Sequence, residues 1–128
     1  MTNSVTIKTK IKKFNKSITV SGDKSISIRW VLFSSLANGK SVAKNLLLSE
    51  DVLAAINAIK KLGIKSKINK KVCIIYGRGI EGYNYKKNIT IDAKNSGTLG
   101  RLILGILINT PEKIRLIGDK SLSKRDLK

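Results

Sequence analysis

The sequence has no histidine, a single cysteine, a single proline and few aromatic residues, which make up 5% of 128 residues. Without histidine, and with Cys73 as the sole thiol, the usual ligand sets for a zinc site are missing and no internal disulfide can form. Cys73 lies within the apolar run 72–75, a pattern typical of a small core residue. We therefore expect no metal site and a reducing, cytoplasmic location.

Long apolar runs are also lacking. A stretch such as 102–108 has seven residues, too few to cross a bilayer. The first eight residues contain neither the apolar core of a signal peptide nor the arginines of a transit peptide. The length and an apolar fraction of 41% are those of one ordinary folded domain. We expect no membrane partner.

Acidic residues are scarce: 8 Asp and Glu stand against 26 Lys and Arg, for a net charge of +18. Such a charge suggests a nucleic-acid-binding module. The lysines, however, are spread along the whole chain and few aromatic side chains accompany them, which favours a solvated basic surface. We therefore expect no nucleic-acid partner. The alternative function, from a different class, is a small basic module that binds nucleic acid.

The polar turn at residues 22–29, Gly-Asp-Lys-Ser-Ile-Ser-Ile-Arg, is the most informative segment. It follows a strand-like run and precedes an apolar one, so a helix is predicted to begin there. Free N–H groups and the helix dipole favour an anion at such a place. Lys24 adds a point charge, Ser25 a hydroxyl donor and Arg29 a planar fork suited to phosphate or carboxylate. The pattern predicts an oxyanion-binding site.

The remaining periodicity predicts alternating helices and strands. Helices are expected at 25–37, 49–62 (capped by Ser49) and 97–109. Strands are expected at 5–7, 17–20, 41–47, 64–68, 72–76, 89–91 and 114–117, the fourth and fifth forming a hairpin. Side chains assigned to the core include Leu53, Ile56, Ile59 and the stripe from Leu102 to Ile108.

The sequence resembles itself at an offset of 72 residues, which aligns Arg29 with Arg101 and Ser49 with Ser121. It predicts a repeated strand–helix–strand–helix–strand–strand unit. The first unit spans about 17–92, and an incomplete second unit spans about 89–128.

Two further polar turns share the design of the first. Residues 92–101 contain Asn95, Gly97 and Arg101 at a helix start, and residues 118–125 end in Arg125. Gly97 permits close approach of the backbone to a ligand. Three such turns at one edge would form a pocket for a substrate with several anionic groups.

Four segments in order closely resemble the 5-enolpyruvylshikimate-3-phosphate (EPSP) synthase family. They match its Pro-Gly-Asp-Lys-Ser-Ile-Ser-His-Arg motif (residues 21–29), Ser-Glu-Asp helix start (49–51), Asn-Ser-Gly-Thr-x-x-Arg motif (95–101) and Gly-Asp-x-Ser-Leu-x-x-Arg-Pro segment (118–126). The resemblance implies the α/β fold of that family, an inside-out α/β barrel of repeated βαβαββ units, with residues 1–128 as the N-terminal part of a longer two-domain enzyme.

The resemblance also implies a reaction: the enolpyruvyl group of phosphoenolpyruvate is transferred to shikimate 3-phosphate and phosphate is released, through a tetrahedral intermediate and without a cofactor. Lys24 matches a lysine that contacts both substrates, and Ser25 and Arg29 match binders of shikimate 3-phosphate. Gly97 and Arg125 match positions that bind phosphoenolpyruvate. Asn95 and Arg101 are expected to support the second turn.

The resemblance places the family's proton-transfer carboxylates outside these 128 residues. No catalytic residue is therefore assigned, and we expect the chain to be inactive alone, from an enzyme that is monomeric when full length. A remnant that folds poorly is a third possibility.

The sequence departs from the family pattern at Ser21 (usually Pro), Ile28 (usually His), Lys94 (usually Gly) and Asp126 (usually Pro). Ile28 is expected to matter little for binding. Lys94 puts a side chain beside the phosphoenolpyruvate turn, where it either perturbs affinity or points away. Asp126 is placed to pair with Arg125.

Overall fold

A computed structural model describes residues 4–10, 12–13, 15–70 and 72–126. Its elements alternate between helix and strand along most of the chain. In order they are α1 (Lys24–Leu36), β1 (Asn38–Lys44), α2 (Glu50–Lys61), β2 (Lys65–Asn69), β3 (Val72–Arg78), β4 (Thr90–Asp92), α3 (Gly97–Ile106), β5 (Arg115–Ile117) and a 3-10 turn (Leu122–Lys124).

The strands form two small sheets. One is antiparallel, in the order β1-β3-β2, with Val42 opposite Ile74 and Ile68 opposite Cys73. The other is a parallel pair, β4-β5, with Ile91 opposite Leu116. The predicted hairpin is confirmed, although Lys71 in its connector lies outside the described residues. These mixed elements confirm the α/β class.

Helix α1 lies at the centre of the fold, where it contacts α2, α3 and β3. One core joins the helices to both sheets, and Cys73 is buried in it as predicted. Its largest fully buried side chains include Ile28, Leu32, Ile56, Ile59, Leu62, Ile64, Ile75, Ile91, Leu99 and Ile103. Burying such side chains contributes about 1.5–3 kcal/mol each before conformational entropy is counted. Within the described residues, no helix combines the length and the apolar content needed to cross a bilayer.

The strands predicted at 5–7 and 17–20 are wrong. Both segments lie outside any helix or strand and their side chains are exposed, as Ile7 and Ile18 are at 87% and 78%. An alternating pattern favours an extended chain, but a strand also needs a partner whose main-chain groups complete the ladder. Here the Val20 carbonyl accepts instead from the Asn45 side chain at 3.1 Å.

The core assignments for α2 and α3 are wrong in part. Leu53 is 40% exposed, because the buried stripe of α2 runs through Val52, Ala55, Ile56 and Ile59. In α3 the buried residues Leu99 and Ile103 lie on one face, whereas Leu104 lies on another and is 46% exposed, so the whole run 102–108 does not belong to the core.

Helix α3 buries Ile103 and Leu99 and leaves other apolar side chains at the surface. Leu104 and Ile108 are 46% and 80% exposed. With Phe33 of α1, Ile108 borders an apolar groove of about 350 Å³ between the two helices.

Candidate functional site

The first polar turn begins α1 as predicted, and two of its charged side chains, Asp23 and Lys24, already have partners within the protein. Asp23 caps the helix: its Oδ1 accepts from the Ile26 N–H at 2.7 Å. Lys24 Nζ lies 2.9 Å from Oδ2 of Asp51 in α2. The Ser25 side chain is half-buried and Arg29 is exposed. An anion that binds at this turn therefore competes with two carboxylates, which the oxyanion-binding site predicted from the sequence did not include.

Close packing fixes the position of this turn. A Cβ on Gly22 would lie 2.6 Å from the Asn45 carbonyl oxygen, so the approach of the two chain segments requires glycine. Ser27 Oγ accepts from the Leu47 N–H at 3.2 Å and ties the helix start to the same segment. The start of α1 is thus held against the connection from β1 to α2.

The second polar turn leads from β4 into α3. Ser96 is the N-cap, and its Oγ accepts from the Leu99 N–H at 3.2 Å. The N–H groups of Gly97 and Thr98, in the first turn, have no acceptor within the helix. A Cβ on Gly97 would lie 3.2 Å from Arg101 Nη1 and 3.3 Å from Arg125 Nη1. Two guanidinium groups therefore flank the open side of Gly97, where they make an electropositive site.

The third polar turn supplies Arg125 to that site. Arg125 Nη2 donates to Asn95 Oδ1 at 2.8 Å and to Ser121 Oγ at 3.2 Å. Arg101 Nη2 donates to the main-chain carbonyl of Asp126 at 2.9 Å. The oxygens in these bonds are uncharged, so the bonds orient both guanidinium groups without forming an ion pair.

The first turn of α2 carries two acidic residues near the polar turns. Asp51 pairs with Lys24 of the first turn, while the negative charge of Glu50 acts on Lys94 of the second. The second and third turns meet directly through Asn95, Gly97 and Arg125. The predicted convergence is thus confirmed for the second and third turns, and for the first turn it stays a prediction.

Comparisons with known proteins support the resemblance. A family model described as EPSP synthase (3-phosphoshikimate 1-carboxyvinyltransferase) matches residues 8–128. The chain belongs to the EPSP synthase family. It is 44% identical over 117 residues to 3-phosphoshikimate 1-carboxyvinyltransferase of Bacillus cytotoxicus, covering 91% of this chain and 27% of that protein. It is 39% identical over 121 residues to the 3-phosphoshikimate 1-carboxyvinyltransferase of Enterococcus faecalis, covering 94% of this chain and 28% of that protein.

A solved structure shows the same fold. EPSP synthase from Acinetobacter baumannii superposes with a TM-score of 0.76 at 34% identity, over 86% of this chain and 25% of that one. The chain thus spans about a quarter of the length of the relatives it matches. Family membership and fold class are confirmed, whereas the roles of the individual residues stay predictions.

The departures from the family pattern have local explanations in the structure. Lys94 has φ 53°, in the left-handed region where glycine is the usual residue. Its Nζ turns to Asp92 Oδ2 at 3.0 Å. Ile28 is fully buried in the core, so it does not reach the site. The described contact of Asp126 is with Arg101, and its expected pairing with Arg125 stays a prediction.

Hydrogen bonds from main-chain N–H groups lower the pKa of two carboxyl groups near the second and third turns. The Lys94 N–H donates to Asp92 at 2.8 Å, and this bond is the largest cause of the lowered pKa of Asp92. The Leu122 N–H donates to Asp119 at 2.7 Å and is likewise the largest cause of the lowered pKa of Asp119, ahead of the Asn95 side chain. Both groups stay anionic beside the second and third turns.

Sequence reasoning missed two acidic residues of the site, Asp51 and Asp119. Both stand in segments that resemble family motifs. A motif gives only the order of residues along the chain, so it gave no sign that Asp51 pairs with Lys24 or that Asp119 reaches Asn95. Among the described residues, no group of three or more Cys, Asp and Glu side chains could hold a metal ion.

Proposed function

We propose that this chain contributes substrate-binding residues to the EPSP synthase reaction, in which the enolpyruvyl group of phosphoenolpyruvate passes to shikimate 3-phosphate. Lys24, Ser25 and Arg29 bind shikimate 3-phosphate, and Lys24 also reaches phosphoenolpyruvate. Gly97 and Arg125 bind phosphoenolpyruvate, with Asn95 and Arg101 as supporting residues. These roles follow from the family resemblance and agree with the charges of the site.

The observation that carries this proposal is the convergence of Arg101 and Arg125 on the open side of Gly97. Both substrates are phosphorylated carboxylates, so binding them side by side requires several fixed cations. Guanidinium groups bind such oxyanions in a fork geometry, and the first N–H groups of α3 add uncharged donors. The hydrogen bonds that orient these guanidinium groups end on neutral oxygens.

The share of the reaction carried by this chain is binding rather than proton transfer. The transfer proceeds by addition and elimination through a tetrahedral intermediate, and we assign none of its proton transfers to a described residue. A chain with about a quarter of its relatives' length has most of their residues missing. We therefore propose that it binds substrates without turnover, in the cytoplasm, as part of an enzyme that is monomeric at full length.

Titration of the 128-residue chain with phosphoenolpyruvate and with shikimate 3-phosphate tests the proposal, using calorimetry and a phosphate-release assay. Arg125→Gln should weaken phosphoenolpyruvate binding by roughly 10- to 100-fold, the equivalent of one charge-assisted hydrogen bond. Arg115→Gln is the matched control, because Arg115 is exposed in β5. Equal binding by both variants would contradict the assigned role of Arg125. Phosphate release by the parent chain would contradict the absence of turnover.

A further inference from the structure

Asp119 makes two hydrogen bonds that join the second and third polar turns, its carboxylate accepts a further one within the third turn, and the family resemblance assigns it no role. Its Oδ2 accepts from Asn95 Nδ2 at 2.6 Å and its Oδ1 accepts from the Leu122 N–H at 2.7 Å. Its own main-chain N–H donates to the Lys94 carbonyl at 2.9 Å. An exposed aspartate with both carboxylate oxygens engaged is held in one orientation, so it can fix the groups around it.

The amide of Asn95 lies between this carboxylate and the guanidinium of Arg125. An ionised carboxylate only accepts hydrogen bonds and a guanidinium only donates them. The amide therefore satisfies both neighbours in one orientation, with Nδ2 towards Asp119 at 2.6 Å and Oδ1 towards Arg125 at 2.8 Å. Asp119 and Arg125 thus favour the same orientation of Asn95, and Asp119 holds that amide from the side away from the arginine.

Because the Asn95 side chain is uncharged, its hydrogen bond to Arg125 is not an ion pair. A carboxylate in direct contact with Arg125 would form an ion pair and would compete with an incoming anion. In the structure the carboxylate lies one side chain further away and accepts from two N–H donors. The pKa of Asp119 is lowered first by the Leu122 N–H and then by Asn95, with a smaller contribution from the charge of Arg125, so the two charges interact across the amide without a direct ion pair.

We propose that Asp119 is a positioning residue, which acts through Asn95 to hold the Arg125 guanidinium beside Gly97 while leaving its charge available to an anionic ligand. This inference rests on the proposed function, since it takes Arg125 as the group that meets the substrate.

The test compares the 128-residue chain with Asp119→Asn, using inorganic phosphate and phosphoenolpyruvate as probes. General electrostatics predicts that removal of a negative charge strengthens anion binding. The proposed positioning of Arg125 by Asp119 through Asn95 predicts weaker anion binding. Asn95 and the Leu122 N–H meet different oxygens of Asp119, and in Asp119→Asn only one of those two positions holds an oxygen, so the hold on Asn95 and through it on Arg125 is weakened. Binding should weaken by roughly threefold to tenfold, as for one lost hydrogen bond.

Glu112→Gln is the charge-matched control, because Glu112 lies on the surface paired with Lys87 at 3.5 Å. It removes the same charge and should bind the probes no more weakly than the parent. Asp119→Asn that binds as tightly as this control would overturn the proposal.

The double variant Asn95→Asp with Asp119→Asn separates geometry from charge and guards against a single variant that fails to fold. It restores each hydrogen bond, because the carboxylate at 95 accepts from Arg125 and from the amide at 119, whose oxygen accepts from the Leu122 N–H. The melting temperature should return to that of the parent, while phosphate affinity stays low because Arg125 is now ion-paired. Recovery of full affinity would overturn the proposal.

A readout independent of substrate distinguishes this inference from the proposed function. Side-chain 15N spectra of Arg125 should show restricted rotation of the guanidinium in the parent and free rotation in Asp119→Asn. If that difference appears but the parent binds neither probe, the positioning role stands and the proposed function fails. If Arg125 is equally mobile in both proteins, the positioning role is refuted.

Discussion

Replacement of Gly97 by alanine would put a methyl group between two guanidinium groups. The new Cβ would lie 3.2 Å from Arg101 Nη1 and 3.3 Å from Arg125 Nη1. These separations are shorter than the optimal contact of about 3.5–4.0 Å, so the methyl takes space that an anion would share with both arginines. Loss of one charge-assisted hydrogen bond costs about 1.5–3 kcal/mol, which is roughly a 10- to 100-fold loss of affinity.

The same substitution should leave the fold intact. Gly97 is the first residue of α3, and alanine is a better helix former by up to about 1 kcal/mol. We therefore expect an unchanged or slightly higher melting temperature together with weaker binding of phosphate and phosphoenolpyruvate, measured by calorimetry on the same samples.

Gly105→Ala is the matched control for this experiment. Gly105 lies in the same helix, and a Cβ there would have no heavy atom within 4 Å. Its substitution should raise stability without a change in affinity. If Gly97→Ala binds as tightly as Gly105→Ala, the space beside Gly97 is not where the anion lies and the reasoning is refuted.

Three further outcomes follow from charge and burial. Lys24→Ala should weaken phosphoenolpyruvate binding by more than tenfold at constant ionic strength, whereas Lys40→Ala, which removes an exposed lysine, should not; equal losses measured by calorimetry would favour a diffuse basic surface. Asp92 and Asp119 have lowered pKa values, so the stability they contribute is present above their ordinary value of 3.8 and is lost as pH falls through the lower folded values. Melting temperatures measured across this acid range should fall less steeply for Asp119→Asn than for the parent, and parallel curves would refute the assignment. Ile108→Lys should reduce binding of a hydrophobic dye without lowering the melting temperature, because Ile108 is 80% exposed beside the groove between α1 and α3; a lower melting temperature would show that it belongs to the core.

The helices and most strands could be predicted from the sequence because their signals are local. A Gly-Asp turn before an apolar stretch gives the start of α1 within one residue, and the alternating runs around residue 70 give the hairpin. The segment 17–20 has the same alternation and forms no strand, because pairing depends on a distant partner that a local pattern does not contain. The exposed side chains of α3 were missed for a different reason: the whole apolar run 102–108 was assigned to the core, although a helix packs on the core with one face.

The basic side chains of the site could be predicted from the sequence, but the contacts of its acidic side chains could not. Lys24, Arg101 and Arg125 stand in polar turns that are visible as motifs, and the structure brings the last two to one glycine. The pairing of Lys24 with Asp51 and the contact of Asp119 with Asn95 join residues 27 and 24 positions apart. Such contacts are set by the packing of α2 and by the neighbouring β4 and β5, which a motif does not specify.

The most direct test of the account is a titration of the uniformly 15N-labelled 128-residue chain with phosphoenolpyruvate at physiological ionic strength, followed by amide and arginine side-chain shifts. The account predicts saturable shifts concentrated at Lys24, Gly97, Thr98, Arg101 and Arg125, with a second set at Ser25 and Arg29 when shikimate 3-phosphate is added. Small, unsaturable shifts scattered over the surface lysines, with none at Gly97, would contradict it.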